Sequence, residues 1–296
     1  MELRHLRYFV TVAEELHFGR AAQRLQIAQP PLSQQIRQLE EELGVQLFHR
    51  TKRSVQLSEA GQLFLEEARQ ILTRSEQAIQ IVQRADRGET GRLTLGFVGS
   101  ATYSILPAVL KVFRRRFPEV LLSLHEMTTT QQVQALHEDR IHLGFVRPPI
   151  HEQELMIELV YKEPFVAVLP EVHPLANETQ ISLLTLANDP FILFPRYLGS
   201  GFYDQIVSMC QQVGFQPQVA QEAIQMQTII SLVAAELGVA LVPASVQNLR
   251  RVGVVYKALA ESTSQVELAM VWRSDKISSV LQKFLEVTRQ VASSGV

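Results

Sequence analysis

The segment HEDRIH (residues 137–142) gathers two imidazoles and two carboxylates into six positions, the ingredients of a zinc-protease helix. That chemistry needs the histidines four apart, so that both face one metal. Here they are five apart, about 140° around a helix, so no metal is expected. Cys210, the single cysteine, has neither a sequence-local base nor a glycine-rich turn beside it. It cannot form an intramolecular disulfide or a cysteine-rich zinc site, and it fits a reducing compartment. GxSxG, Walker A and GxGxxG are all absent, so neither an enzyme nor a cofactor is expected.

Two other groupings suit binding. The turns Gly99-Ser100-Ala101, Thr128-Thr129-Thr130 and Gly199-Ser200-Gly201 each stand between an apolar run and a helical pattern. Ligands gather at such strand ends, and helix N-termini favour anions through free N–H groups, so a small carboxylate is the natural ligand. Ser100 and Thr129 also have the plainer reading of helix caps.

The second grouping is IAQPPLSQQIRQLEEELG, residues 27–44. At about 100° per residue, Leu32, Ile36, Leu39 and Leu43 make one apolar stripe, with Gln34, Arg37, Gln38 and Glu41 opposite. Amides and a guanidinium near the helix start, with carboxylates only near its end, suit entry into a DNA major groove. An ordinary helix with a solvated polar face would look the same. Pro30 and Pro31 set the helix start, Pro31 discouraging helical angles at Pro30.

These groups need elements to hold them. The chain has 296 residues, 46% apolar and 20% charged, with a net charge of -2, so any nucleic-acid affinity must be local. The opening MELRHLRYF lacks the apolar core of a signal peptide, and no later run could span a bilayer. A cytoplasmic protein without membrane contact is expected.

Residues up to about 88 are almost wholly helical in pattern. Helices over 3–16 and 18–25, a brief turn over 26–29, and the quoted helix make a helix-turn-helix layout. VQLFHRTKRSVQLS then reads as a wing with the basic tip His49, Arg50, Lys52 and Arg53, whose cations can pair with phosphates. A long helix follows, with Ser58 as N-cap and Gly61 where a capping box needs Glu or Gln. Phe64, Ala68, Ile71, Ser75, Ala78, Val82 and Ala85 alternate in steps of four and three, a coiled-coil seam widened by Leu65, Leu72 and Ile79. At about 45 Å the helix is too long for the small module to cover, and a second copy would cover it; packing on its own C-terminal domain is the alternative. Beyond residue 91, apolar runs such as RLTLGFVGS, PFVAVLP and GVALVPAS alternate with helical patterns. They argue for an α/β domain with parallel strands.

RYFVTVAEELHFGRAAQRLQIAQPPLSQQIRQLEEELGVQLFHRTKRSVQLSEAG resembles, across its whole length, the winged helix-turn-helix of LysR-type transcriptional regulators. The AQPPLS form is similar to the branch that includes regulators of benzoate and catechol catabolism. Many members have Ser where this chain has Ala28, so one hydroxyl that could cap the helix or touch phosphate is missing.

The resemblance implies a winged helix-turn-helix over 1–58, a dimerising linker helix and hinge over 59–90, and an effector domain over 91–296. That domain would be two-lobed and similar to periplasmic binding proteins, with lobe I over about 92–161 and 267–291 and lobe II over about 162–266. Gln34 and Arg37 would read bases, with Gln29, Pro30, Pro31 and Ser33 near the backbone and Arg50, Lys52 and Arg53 on phosphates. Ser100 with the Ala101 amide, and Thr128 with Thr129, would form the polar end of the effector pocket. Phe202 or Tyr203 would close its apolar side, and Arg147 and Gln227 would face it. Arg147 as a structural ion-pair partner, and the aromatics as plain core, are equally open. The partners implied are double-stranded promoter DNA, a small-molecule effector, and a second copy in a homodimer. A homotetramer and RNA polymerase are further candidates. An architectural DNA protein without ligand is the rival reading. It needs only the first ninety or so residues and a generally basic surface, and it leaves the α/β domain unexplained.

Overall fold

Leu6, Phe9, Val12 and Ala13 recur at helical spacing and form the buried face of α1 (Leu3–Glu15). α2 (Phe18–Arg24) begins where His17 Nδ1 accepts the Gly19 and Arg20 amides. α3 (Gln29–Leu43) buries Leu32, Ile36 and Leu39 against both. The computed structural model describes residues 1–51, 54–150, 152–261 and 264–294, and its contacts divide the chain into two units, Met1–Arg84 and Ala85–Val296.

In the first unit α3 starts at Gln29, one residue ahead of the prolines that were expected to set its start. First-turn N–H groups have no acceptor within the helix, so Pro30 and Pro31 forfeit no hydrogen bond there. Ala28 is the N-cap and offers no side-chain bond. The wing is an antiparallel pair, β1 (Phe48–Arg50) with β2 (Val55–Leu57), in the register Phe48 to Leu57. Phe48 and Phe64 both pack on Phe9, with centroids 5.3 and 5.0 Å away.

α4 (Glu59–Asp86) begins with Ser58 Oγ accepting the Gly61 N–H at 2.9 Å. Gly61 is required by space: a Cβ there would lie 2.1 Å from the Leu47 carbonyl oxygen. Phe64, Leu65, Ala68 and Leu72 pack on the module's core, whereas Ile79 and Val82 are 53% and 69% exposed.

The second unit holds two α/β lobes. Lobe I contains β3 (Thr90–Phe97), α5 (Leu106–Arg116), β4 (Glu119–Glu126), α6 (Thr129–His137), β5 (Leu143–Val146) and β6 (Leu155–Glu163). Lobe II contains β7 (Phe165–Pro170), β8 (Gln180–Ile181), β9 (Pro190–Leu193), α7 (Ser200–Gln212), β10 (Gln218–Glu222), α8 (Met226–Ala234), β11 (Ala240–Pro243) and β12 (Val254–Leu259). The chain returns to lobe I in β13 (Val266–Arg273) and ends on α9 (Ser279–Ser293). The first lobe's sheet has the order β4-β3-β5-β13-β6, and the second's β11-β7-β12-β8 with a separate β10-β9 pair.

The sheets are mixed, where parallel strands were expected. β3 is parallel to β4 and β5, but β13 is antiparallel to β5 and β6, and β7 to β11 and β12. A continuous apolar run reports burial on both faces, which is usual in parallel sheets but is imposed equally on the antiparallel strands of a mixed sheet covered on both sides. The turn Gly99–Tyr103 is a short 3-10 helix of its own, and α6 and α7 begin at Thr129 and Ser200. α6 ends at His137, with Asp139 in the left-handed region, so HEDRIH is not one helix.

Among the described residues no helix is long and apolar enough to cross a membrane.

Candidate functional site

The exposed face of α3 carries Gln34 and Arg37, neither of whose side chains has a hydrogen bond or ion pair among the described residues. Gln29, Pro30 and Pro31 are exposed in the first turn and Ser33 is half-buried beside them. Burial of Leu32, Ile36 and Leu39 fixes the helix's rotation, so Arg37 must point outward.

Arg50, expected on a DNA phosphate, also has partners within the module. It pairs with Glu40, and its guanidinium stands 5.0 Å over the Phe18 ring. Glu40 also accepts the Leu47 and Phe48 amides, at 2.9 and 3.1 Å. An acid three turns along the helix had no visible reason to hold the wing, because its partners become neighbours only when the wing folds back. Lys52 and Arg53 lie outside the described residues.

Between the lobes of the second unit is a cavity of about 340 Å³, lined from lobe I by Ser100, Glu126, Thr128, Thr129 and Arg147, and from lobe II by Phe194, Tyr197, Phe202, Gln225 and Met226. Arg147 organises its polar end. Nη2 donates to Ser100 Oγ at 2.9 Å, Nη1 to the Glu267 carbonyl at 2.9 Å, and the backbone N–H to Thr129 Oγ1 at 3.2 Å. Behind it Glu163, 3% exposed, comes within 3.7 Å and is itself held by the Ser245 N–H and hydroxyl. Burial pulls the guanidinium down to about 10, against the opposing pull of Glu163, so it remains charged at neutral pH.

The consequence is directional. A hydroxyl that accepts one bond still has its hydrogen to give. Ser100 and Thr129 are both left as donors, and the Thr129 and Thr130 amides at the start of α6 have no acceptor among the described residues. Thr128 is the cap: its Oγ1 accepts the Gln131 N–H, and Gln131 Oε1 accepts the Thr128 N–H. Gln132, fully buried, ties this turn to β5 by donating to the Met127 and Phe145 carbonyls.

Three expected pocket groups lie elsewhere. The Ala101 amide is spent on the Val98 carbonyl at 2.9 Å. Tyr203 packs against the lobe II core, because one step along α7 turns it about 100° from Phe202. Gln227 is exposed and does not line the cavity, while Gln225, at the cap of α8, takes the cavity position. Phe202 serves both readings, stacking on Phe165 at 5.8 Å while lining the cavity. Glu126 closes the apolar run of β4, so the strand-end rule could have found it. Gln225 follows β10, whose residues are all exposed, so no apolar run announced it.

Residues 3–62 match the family model "Bacterial regulatory helix-turn-helix protein, lysR family", and residues 86–293 match the LysR substrate binding domain. The chain belongs to the LysR family. This LysR regulator is 41% identical to the HTH-type transcriptional regulator AlsR of Bacillus subtilis, over 97% of this chain and 95% of that one. Its fold is similar to full-length CbnR complexed with its target DNA, with TM-score 0.87, 29% identity and coverage of 99% and 100% of the two chains. It is also similar to the BenM effector binding domain with its effector benzoate, with TM-score 0.62 and 26% identity over 69% of this chain and 92% of that one. It is thus a DNA-binding transcriptional regulator with an effector-binding domain, a family of regulators and not of enzymes.

Proposed function

We propose that this LysR regulator reads promoter DNA through Gln34 and Arg37 and is switched by a small carboxylate held between the lobes. The carboxylate would take the hydroxyls of Ser100 and Thr129 and the first amides of α6. One observation carries this: Arg147 occupies the acceptor side of both hydroxyls, leaving two donors at one end of a cavity whose other end is apolar. Benzoate in the related BenM domain favours the same ligand chemistry. Functional boundaries at 1–58, 59–90 and 91–296 follow from this reading, with the crossings between lobes falling after β6 and before β13.

The exposed apolar residues of α4, Ile71, Ile79 and Val82, support pairing of two copies along this helix. A homodimer would present two α3 helices to a roughly palindromic site. Pairing of dimers into a tetramer, and contact with RNA polymerase, would follow the family.

Titration of the full-length chain with acetate, benzoate and muconate, read by melting temperature, tests the pocket. A ligand that binds the native state raises the melting temperature as its concentration passes Kd. The reading requires one of these acids to shift the wild type, and Ser100→Ala and Thr129→Ala each to abolish the shift in folded protein. A shift surviving both substitutions would place the acid elsewhere.

A further inference from the structure

Glu126 is the acidic group in the cavity wall, and it has no hydrogen bond or ion pair among the described residues. It sits hard against the turn that carries Ser100: a Cβ placed on Gly99 would meet Glu126 Oε1 at 2.5 Å and Gln225 Oε1 at 3.0 Å. The bare backbone at Gly99 therefore lets a carboxylate from lobe I and an amide from lobe II converge. The cation in the same wall does not offset it, since Arg147 is committed to Ser100 and the Glu267 carbonyl and is backed by the buried Glu163.

Glu126 is exposed along this wall, where solvent can hold a free carboxylate. A ligand that covers it without supplying a partner would displace that solvent and leave the charge unpaired. A ligand carboxylate alone would add a second negative charge nearby, and a dicarboxylate a third, with repulsion growing as water leaves. At Gly99 the Gln225 amide presents its Oε1, an acceptor beside an acceptor, so a donor on the ligand would complete the pair.

We infer that the effector is a small monocarboxylate that also carries its own hydrogen-bond donor, a hydroxyl or an ammonium, which Glu126 binds, and that a second carboxylate on the ligand is rejected. Glu126 is then a specificity residue: it selects among acids by what they bear at a distance from the carboxylate, as like charges in a site exclude wrong partners. The inference rests on the proposed carboxylate site at Ser100 and Thr129.

Matched acids separate the two ideas. The full-length chain is titrated calorimetrically with butyrate, 4-hydroxybutyrate, 4-aminobutyrate and succinate, and with benzoate, 3-hydroxybenzoate, 3-(aminomethyl)benzoate and isophthalate. In at least one series a donor-bearing acid should bind at least tenfold more tightly than its parent, and the dicarboxylate at least tenfold more weakly. Glu126→Gln, which keeps shape but removes charge, should cut the preference for the ammonium acid at least fivefold and improve dicarboxylate binding. If parent acids bind as well as their donor-bearing relatives, or if Glu126→Gln leaves the ranking intact, the role of Glu126 is wrong while the carboxylate site stands. If none of the eight acids binds, the carboxylate reading fails and takes this inference with it.

Discussion

The Arg147 guanidinium donates to the Ser100 hydroxyl at 2.9 Å, joining the end of β5 to the turn after β3. Because Glu163 lies buried behind it, Arg147→Met should do two things. It should remove the alignment of Ser100, abolishing carboxylate binding, and leave Glu163 without its cation. Losing one member of a buried pair costs about 3 kcal/mol or more, although Ser245 still holds Glu163 by two bonds. Urea unfolding of Arg147→Met and of Arg147→Met/Glu163→Gln checks this, the double variant recovering part of the loss. Between about pH 6 and pH 9 Arg147 should contribute no slope to stability, being protonated in folded and unfolded chains alike. Its folded value is depressed to about 10, so its destabilising contribution is present below that pH and is relieved as pH rises through it.

Cys210 is fully buried, and desolvation pushes its thiol up to about 12. The thiolate is the reactive form, so the folded protein should resist a thiol-labelling disulfide reagent at pH 8 and react fully in denaturant. The sign of the linkage follows: a raised folded value stabilises below the unfolded thiol value near 9.0, and this is lost as pH rises toward about 12. Labelling of the native chain at the rate of the unfolded one would contradict the burial.

Gly61→Ala should destabilise the DNA-binding module, because a methyl group cannot share space with the Leu47 carbonyl 2.1 Å away. The start of α4 or the strand into the wing must shift. A cost of about 2 kcal/mol, in the range of overpacking, is expected, measured by thermal melting of the full chain. Gln62→Ala, one residue on and exposed, is the control, with a change within about 0.5 kcal/mol.

Arg37 and Arg50 should behave differently. Arg37→Ala removes an exposed, unpaired side chain and should leave stability unchanged while relaxing preference at one base pair by about 1 to 3 kcal/mol. Arg50→Ala releases Glu40 and the Phe18 ring and should lower stability, weakening binding to all sequences together. Binding to operator and scrambled duplexes at fixed salt, with melting curves for each variant, distinguishes them.

Residue order alone determined the helical and α/β units, because burying an amphipathic face imposes a period that can be read locally. It also determined which side of α3 faces outward: Leu32, Ile36 and Leu39 leave Arg37 nowhere else to go. The strand-end turns at Ser100 and Thr129 were legible for the same reason, as each follows an apolar run. Tertiary structure alone decided what these groups touch. Arg147 meets Ser100 and Glu163 only after β5, β3 and β6 join one sheet; Glu40 meets Arg50 only when the wing folds back; Glu126 and Gln225 converge on Gly99 from different lobes. Strand direction and the choice of Gln225 over Gln227 were hidden likewise, since both depend on where the chain re-enters a sheet or helix. Local periodicity records which face is buried, and contacts between distant segments exist only once the chain has closed upon itself.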